Sequence, residues 1–257
     1  MADAKYFIEI MLVVVINWCM PNKDIKSVSE SRKYYFSYYP QTFNSDLTDI
    51  RYGEHVGEKD NNLITIVADG MHQQVSPMAY FQYARKLPNR VFLLVDRYLR
   101  FIDVLVGFLW LCRCYRVLYS QRFGTYKFLH VDITGFIKQE LIQSISRIAR
   151  LVLLSGAFRK AIKNSNMREL VYINFEFSFG RMISGVVANL GRNIYRTGFN
   201  HGDYSWRFIN YFLADGEASR KPPYIKHCPI PDRILAEDEL CAEIYRHNGY
   251  QNVEVLN

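Results

Sequence analysis

A handful of polar residues stand where strand ends would deliver them, and each has a definite chemistry. Glu176 closes the segment Val171-Tyr172-Ile173-Asn174-Phe175. A carboxylate there can take the proton of an acceptor hydroxyl as that oxygen attacks. It equally suits the start of the following helix, whose first amides favour negative charge. His201 follows the segment Ile194 to Phe199, and Gly202 beside it lets backbone come close to a ligand. A neutral imidazole donates to a phosphate or a sugar hydroxyl, and a protonated one adds charge; a turn histidine satisfied by nearby backbone is the other reading. Asn200 and Asp203 complete this polar segment. Asp69, followed by Gly70 after the run Leu63 to Ala68, has the same claim to base chemistry as Glu176.

Other chemistries lack their minimal signatures. There is no G-x-x-x-x-G-K-[ST], no G-x-G-x-x-G, no H-E-x-x-H and no G-x-S-x-G. His55, His72, His130, His201, His227 and His247 are scattered without metal spacing. The 5 cysteines form no C-x-x-C, and Cys112-Arg-Cys114 is too tight for zinc. They read as thiols in a reducing compartment. No metal and no cofactor is expected.

The elements that would position these residues alternate. Tyr34 to Tyr39 is an aromatic strand ended by Pro40, and Gln41 to Asn62 a long polar loop on the ligand side. Leu63 to Ala68 is a second strand, Pro77 to Lys86 a helix, and Val91 to Val95 a short strand. Ile137, Leu141, Ile145, Ile148 and Val152 share one helix face, which reads as core, with Asp132 or Thr134 capping its start. Val171 to Phe175, a helix stopped by Gly191, and Ile194 to Phe199 make a strand–helix–strand crossover of about thirty residues, hence a parallel pair. Near the N-terminus, Val13-Val14-Val15-Ile16 suits a strand buried on both faces. The whole reads as an α/β sheet covered on both faces, with ligand groups beyond the carboxyl ends of the strands. Gly216 to Pro223 is a polar linker. Asp232 to Asn257 reads as an Asp-capped helix, a Gly249 stop and a closing strand, the opening of a second domain.

Composition agrees with a packed chain: 257 residues, 49% hydrophobic and 22% charged. The net charge of +7 lies in the middle, where residues 81–170 hold 16 Lys and Arg against 5 Asp and Glu. Such a block attracts anions, whether phosphate-bearing ligands or acidic head groups. No nucleic-acid recognition module accompanies it, so nucleic acid is not expected as a partner. The apolar run Phe7 to Met20 contains Glu9 and Asn17 and is short for a bilayer span, and it lacks the basic lead-in of a signal peptide. Val104 to Leu111, bracketed by Arg97, Arg100, Arg113 and Arg116, reads as a core or interface-lying helix.

Several segments together carry a family resemblance. VYINFEFSFGRM, FNHGDYSWRFINYFL and PIPDRILAEDELCAEIYRHNGYQNVEVL, with YYFSYYPQTFNSDLTDIRYGE nearer the start, resemble bacterial surface-carbohydrate biosynthesis proteins of the GT-B glycosyltransferase type. Asn200 stands where that family usually has Gln before the His, and the Phe179-Gly180 region replaces a second Glu. The resemblance implies a Rossmann-like acceptor-side domain over residues 1–215, a linker at 216–224, and at 225–257 the start of a truncated donor-side lobe. It implies metal-independent transfer of a sugar from a nucleotide sugar to a glycan or lipid-linked acceptor in polysaccharide or lipopolysaccharide assembly. Glu176 or Asp69 would be the base, and Asn200, His201, Gly202 and Asp203 would line the substrate cleft. The setting implied is cytoplasmic, peripheral at the inner face of the membrane, with a separate donor-lobe subunit as partner. A non-catalytic scaffold docking on anionic membrane or a partner lobe is the alternative.

Overall fold

A computed structural model describes residues 2–20, 33–38, 43, 49–52, 62–67, 76–86, 92–120, 124–163, 165–173, 177–200 and 229–256. Seven strands form one sheet: β1 (Lys33–Tyr38), β2 (Asn62–Val67), β3 (Phe92–Leu94), β6 (Glu169–Ile173), β7 (Tyr195–Phe199), β8 (Arg233–Ala236) and β9 (Val253–Val255). The spatial order is β3-β2-β1-β6-β7-β8-β9, and every pairing is parallel. The chain therefore winds outward from β1 in one direction, returns, and winds outward from β6 in the other. This is the strand order of a doubly wound, Rossmann-like α/β fold.

The closing unit departs from expectation. Residues 229–256 do not begin a second lobe, because β8 pairs with β7 and β9 with β8 in the same sheet. β8, only four residues between Pro231 and the acidic Glu237-Asp238 step, is too short to announce itself beside the helix that follows. That helix, α6 (Glu239–His247), is capped by Asp238, whose carboxylate accepts from the Cys241 amide at 2.8 Å. The anticipated linker at 216–224 lies outside the described residues.

A second departure concerns the N-terminus. Val13 to Ile16 are not a strand; they belong to helix α1 (Ala2–Cys19). Tyr6, Phe7, Ile10, Val13 and Val14 are buried, the spacing of one helix stripe. Eighteen residues free of Gly and Pro outweigh four β-branched neighbours, since a run of this length exceeds what a strand uses. Asn17 serves within this apolar helix as a tether. Its amide donates to the Asp96 carbonyl at 2.7 Å, and the hydroxyl of Tyr80, on α2 (Pro77–Lys86), donates to its carbonyl.

Helices α3 (Phe101–Ser120) and α4 (Thr134–Lys163) pack together and are joined through a short hairpin, β4 (Lys127–Phe128) and β5 (Val131–Asp132). Asp132 starts α4 by accepting from the Thr134 amide at 2.9 Å, and hydrogen bonds from Thr134 hold its carboxyl below the usual range. Small residues set the crossing: a Cβ at Gly107 would lie 3.3 Å from Leu153 Cβ, and one at Gly156 would lie 2.8 Å from Asp103 Oδ1. That carboxylate pairs with Lys160 at 2.5 Å and accepts from the Arg100 amide. The helix face expected as core is core only in part. Ile145 is buried, Ile137 and Val152 are half-buried, and Leu141 and Ile148 are exposed. Continuous burial begins at Leu153, where α4 reaches the sheet; Phe158 there meets Phe36 of β1 ring edge to face at 5.5 Å.

Buried phenols give this core an alkaline limit. Burial pushes the Tyr34 hydroxyl up to about 12, raises Tyr98 likewise, and with the Asp96 charge raises Tyr80. A folded-state value above the ordinary one near 10 means that the native chain holds the proton more tightly. That contribution is whole below pH 10 and is lost as pH climbs toward 12. Stability is therefore expected to fall across this window. Absorbance of tyrosinate followed together with circular dichroism checks it: part of the tyrosine signal should wait for unfolding, and full ionisation of a still-folded chain would contradict the burial argument.

Candidate functional site

In a doubly wound sheet the two winding directions part between β1 and β6, and ligands sit beyond the carboxyl ends there. β1 pairs with β2 as far as Tyr38↔Val67, and β6 with β7 as far as Ile173↔Phe199. Among the described residues β1 pairs with β6 as far as Phe36↔Tyr172. The Phe36 carbonyl accepts a hydrogen bond from the Tyr52 hydroxyl at 2.5 Å.

Tyr52 is fully buried, and its ring packs against Tyr35 of β1 at 5.1 Å and Phe199 of β7 at 5.3 Å. It thus reaches over β6 on one face of the sheet. Its position is set by the turn Asp49 to Tyr52, in which the buried Asp49 carboxylate accepts from the Arg51 amide at 3.0 Å and pairs with the Arg51 guanidinium at 3.3 Å. Ser37 follows Phe36 on β1. Its side chain is buried, and its Oγ has no hydrogen-bond partner among the described residues. A buried hydroxyl without a partner carries a desolvation cost.

On the opposite face Phe36 lies between Phe158 of α4 and Phe179 of α5 (Ser178–Ala188), both at 5.5 Å. The hydroxyls of Tyr172 and Ser184 bond to each other beneath it. Helix α5 starts at the carboxyl edge of β6, with no acidic residue in its first turn and no side-chain cap from Phe177. Its amide end therefore adds positive potential to this edge.

Of the residues singled out by sequence, Asn200 is described. It is buried directly after β7; its amide donates to the Tyr245 hydroxyl at 2.8 Å, the Cys241 thiol donates to its Oδ1 at 2.9 Å, and its backbone N–H extends the ladder to Leu235. Asn200 is thereby a joint between β7 and α6. Asp69, Glu176, His201, Gly202 and Asp203 lie outside the described residues. The strands that precede them, β2, β6 and β7, are parallel and end on one edge, with Ile173 and Phe199 at the same level. Among the described residues no group of three or more His, Cys, Asp or Glu could hold a metal ion.

Comparison with family models, curated proteins and solved structures finds no match. The site is therefore argued from its own geometry. Sequence reading missed Tyr52 and Ser37. Tyr52 is one of 19 tyrosines, and nothing local distinguishes it. Ser37 had a faint signal, a small side chain among the aromatic residues Tyr34-Tyr35-Phe36-Ser37-Tyr38. The ion pairs elsewhere, Arg196 with Asp232 at 2.7 Å and Arg233 with Glu169 at 3.2 Å, involve residues at the amino ends of their strands, away from this edge.

Proposed function

We propose that the chain is the acceptor-side, Rossmann-like part of a GT-B-type glycosyltransferase of cell-surface polysaccharide or lipopolysaccharide assembly. The observation that carries this reading is the parting of the two winding directions between β1 and β6, the place where doubly wound folds take their ligands. The donor is a nucleotide sugar, and the acceptor a glycan or lipid-linked hydroxyl. In the transfer step that hydroxyl oxygen bonds to the anomeric carbon while the bond from this carbon to the nucleotide phosphate oxygen breaks. The proton passes to Glu176 or, in its place, Asp69. The electron pair leaves with the nucleotide phosphate, which His201 and neighbouring amides stabilise without a metal. A separate donor-lobe subunit completes the cleft, and the reaction takes place at the cytoplasmic face of the membrane.

The test uses the full chain with nucleotides and nucleotide sugars. Ligand should raise the melting temperature, and His201→Ala should remove most of that rise. Ser37→Ala should weaken binding while leaving stability unchanged or slightly higher, because replacing an unsatisfied buried hydroxyl removes its desolvation cost. Indifference to every nucleotide and nucleotide sugar would instead favour the non-catalytic scaffold.

A further inference from the structure

The distal end of the α3–β4–β5–α4 arm presents apolar side chains that the fold leaves in water. Phe128 is 64% exposed, Leu129 79%, Val131 63% and Phe136 65%. Leu141 and Ile142, farther along α4, are exposed as well. Contiguous exposed apolar surface of this kind marks an interaction site. The turn adds to the case. Leu129 and His130 occupy its two central positions with φ of 47° and 70°, a conformation that hairpins normally assign to Asn and Gly. A leucine held in the left-handed region with its side chain in solvent gains nothing from water, but it does gain if the tip is buried in another phase.

We propose that this tip is a membrane-docking element that enters the head-group boundary of a bilayer containing anionic lipid, lying in the interface without crossing it. Charge selects the occupant. Exposed Lys127 and Lys138 flank the apolar tip, and exposed Arg116 and Arg113 on α3 and Arg147 on α4 follow farther along the arm, against Asp132 and Glu140 in residues 113–147. Each such cation gains from an anionic head group, whereas a second copy of the arm would bring the same positive charge against it. Tyr119 and Tyr126, both exposed, are amphipathic aromatics of the kind that settle at this depth. The depth is limited by the fold. α4 is long and apolar enough by length and composition to span a bilayer. Its second half is fixed in the core, with Leu153, Leu154, Phe158 and Ile162 buried, so only the distal end can leave water. The inference holds whether or not the chain transfers sugar.

The experiment is co-sedimentation of the full chain with vesicles of phosphatidylcholine alone and of phosphatidylcholine mixed with phosphatidylglycerol. The chain should bind the mixed vesicles far better, and added salt should weaken the difference. Changing Phe128→Asp together with Leu129→Asp should lower the partition coefficient about a hundredfold while circular dichroism and melting temperature stay as they were. Lys127→Gln and Lys138→Gln should each lower it about fivefold on anionic vesicles and leave it unchanged on neutral ones, an arm that stands even if the double variant folds poorly. Absence of vesicle binding, undiminished binding by the double variant, or a lipid-free dimer that Leu129→Asp dissociates would overturn the proposal.

Discussion

Glu176→Gln is expected to leave the fold intact and to lower sugar transfer by about 10²- to 10⁴-fold, the usual worth of a positioned general base. Glutamine keeps the size and polarity of the side chain but cannot accept the proton of the attacking hydroxyl. Nucleotide binding should survive, since the proposal gives the phosphate to His201 and to amides, so the loss should fall on the rate of transfer rather than on donor affinity. Asp69→Asn serves as the comparison. β2 and β6 are both hydrogen-bonded to β1 and end on the same edge, so either carboxylate follows a strand that leads there. A loss confined to Asp69→Asn would move the base to the β2 side, and wild-type rates from both variants would remove carboxylate base catalysis from the reading. Sugar transfer to a lipid extract, followed as released nucleotide, is the measurement.

Phe158→Ala is expected to cost about 3–5 kcal/mol of stability, the range for removing a buried aromatic ring from a core. Phe158 is 1% exposed and wedges α4 onto Phe36, a β1 residue paired to β6. Its removal leaves a cavity under the point where the two winding directions part. Leu141→Ala, on the same helix and the same apolar face by sequence, should change stability by no more than about 0.5 kcal/mol, because Leu141 is exposed. Urea unfolding of the two variants, with an unchanged slope, measures the contrast. Equal losses would mean that the distal half of α4 is packed after all.

The contrast shows where sequence periodicity stops being informative. Ile137 to Val152 recurs at helical spacing, and a helix is there; periodicity, however, reports that a face is apolar and not what covers it. On α1 the converse happened. The buried stripe Tyr6, Phe7, Ile10, Val13 and Val14 has a clean helical period, but Ile8, Met11, Leu12 and Val15 are apolar and exposed, so the stripe is hidden in a uniformly apolar run that also fits a strand. The crossover β6–α5–β7 was legible because its breaks are local. Gly191, at φ 66°, ends the helix, and the strands on either side are short and β-branched or aromatic. β6 nonetheless begins two residues earlier than its apolar run indicated, at Glu169, since its register is set by pairing with β1 and β7.

For the site, the order of strands and polar residues along the chain already places Asp69, Glu176 and the Asn200–Asp203 segment after strands, because strand ends are marked locally by Gly, Pro and polar residues. That these strands are neighbours in space is a matter of long-range pairing, which carries no local signal. The same holds for Tyr52 capping the Phe36 carbonyl, for the burial of the Ser37 hydroxyl and for the membership of β8 and β9 in the first sheet. Hydrogen bonding and hydrophobic burial between distant segments are decided by what else is close at hand. Composition and spacing therefore specified the alternating elements and the basic, apolar middle of the chain, while packing alone settled which apolar faces became core and which stayed exposed.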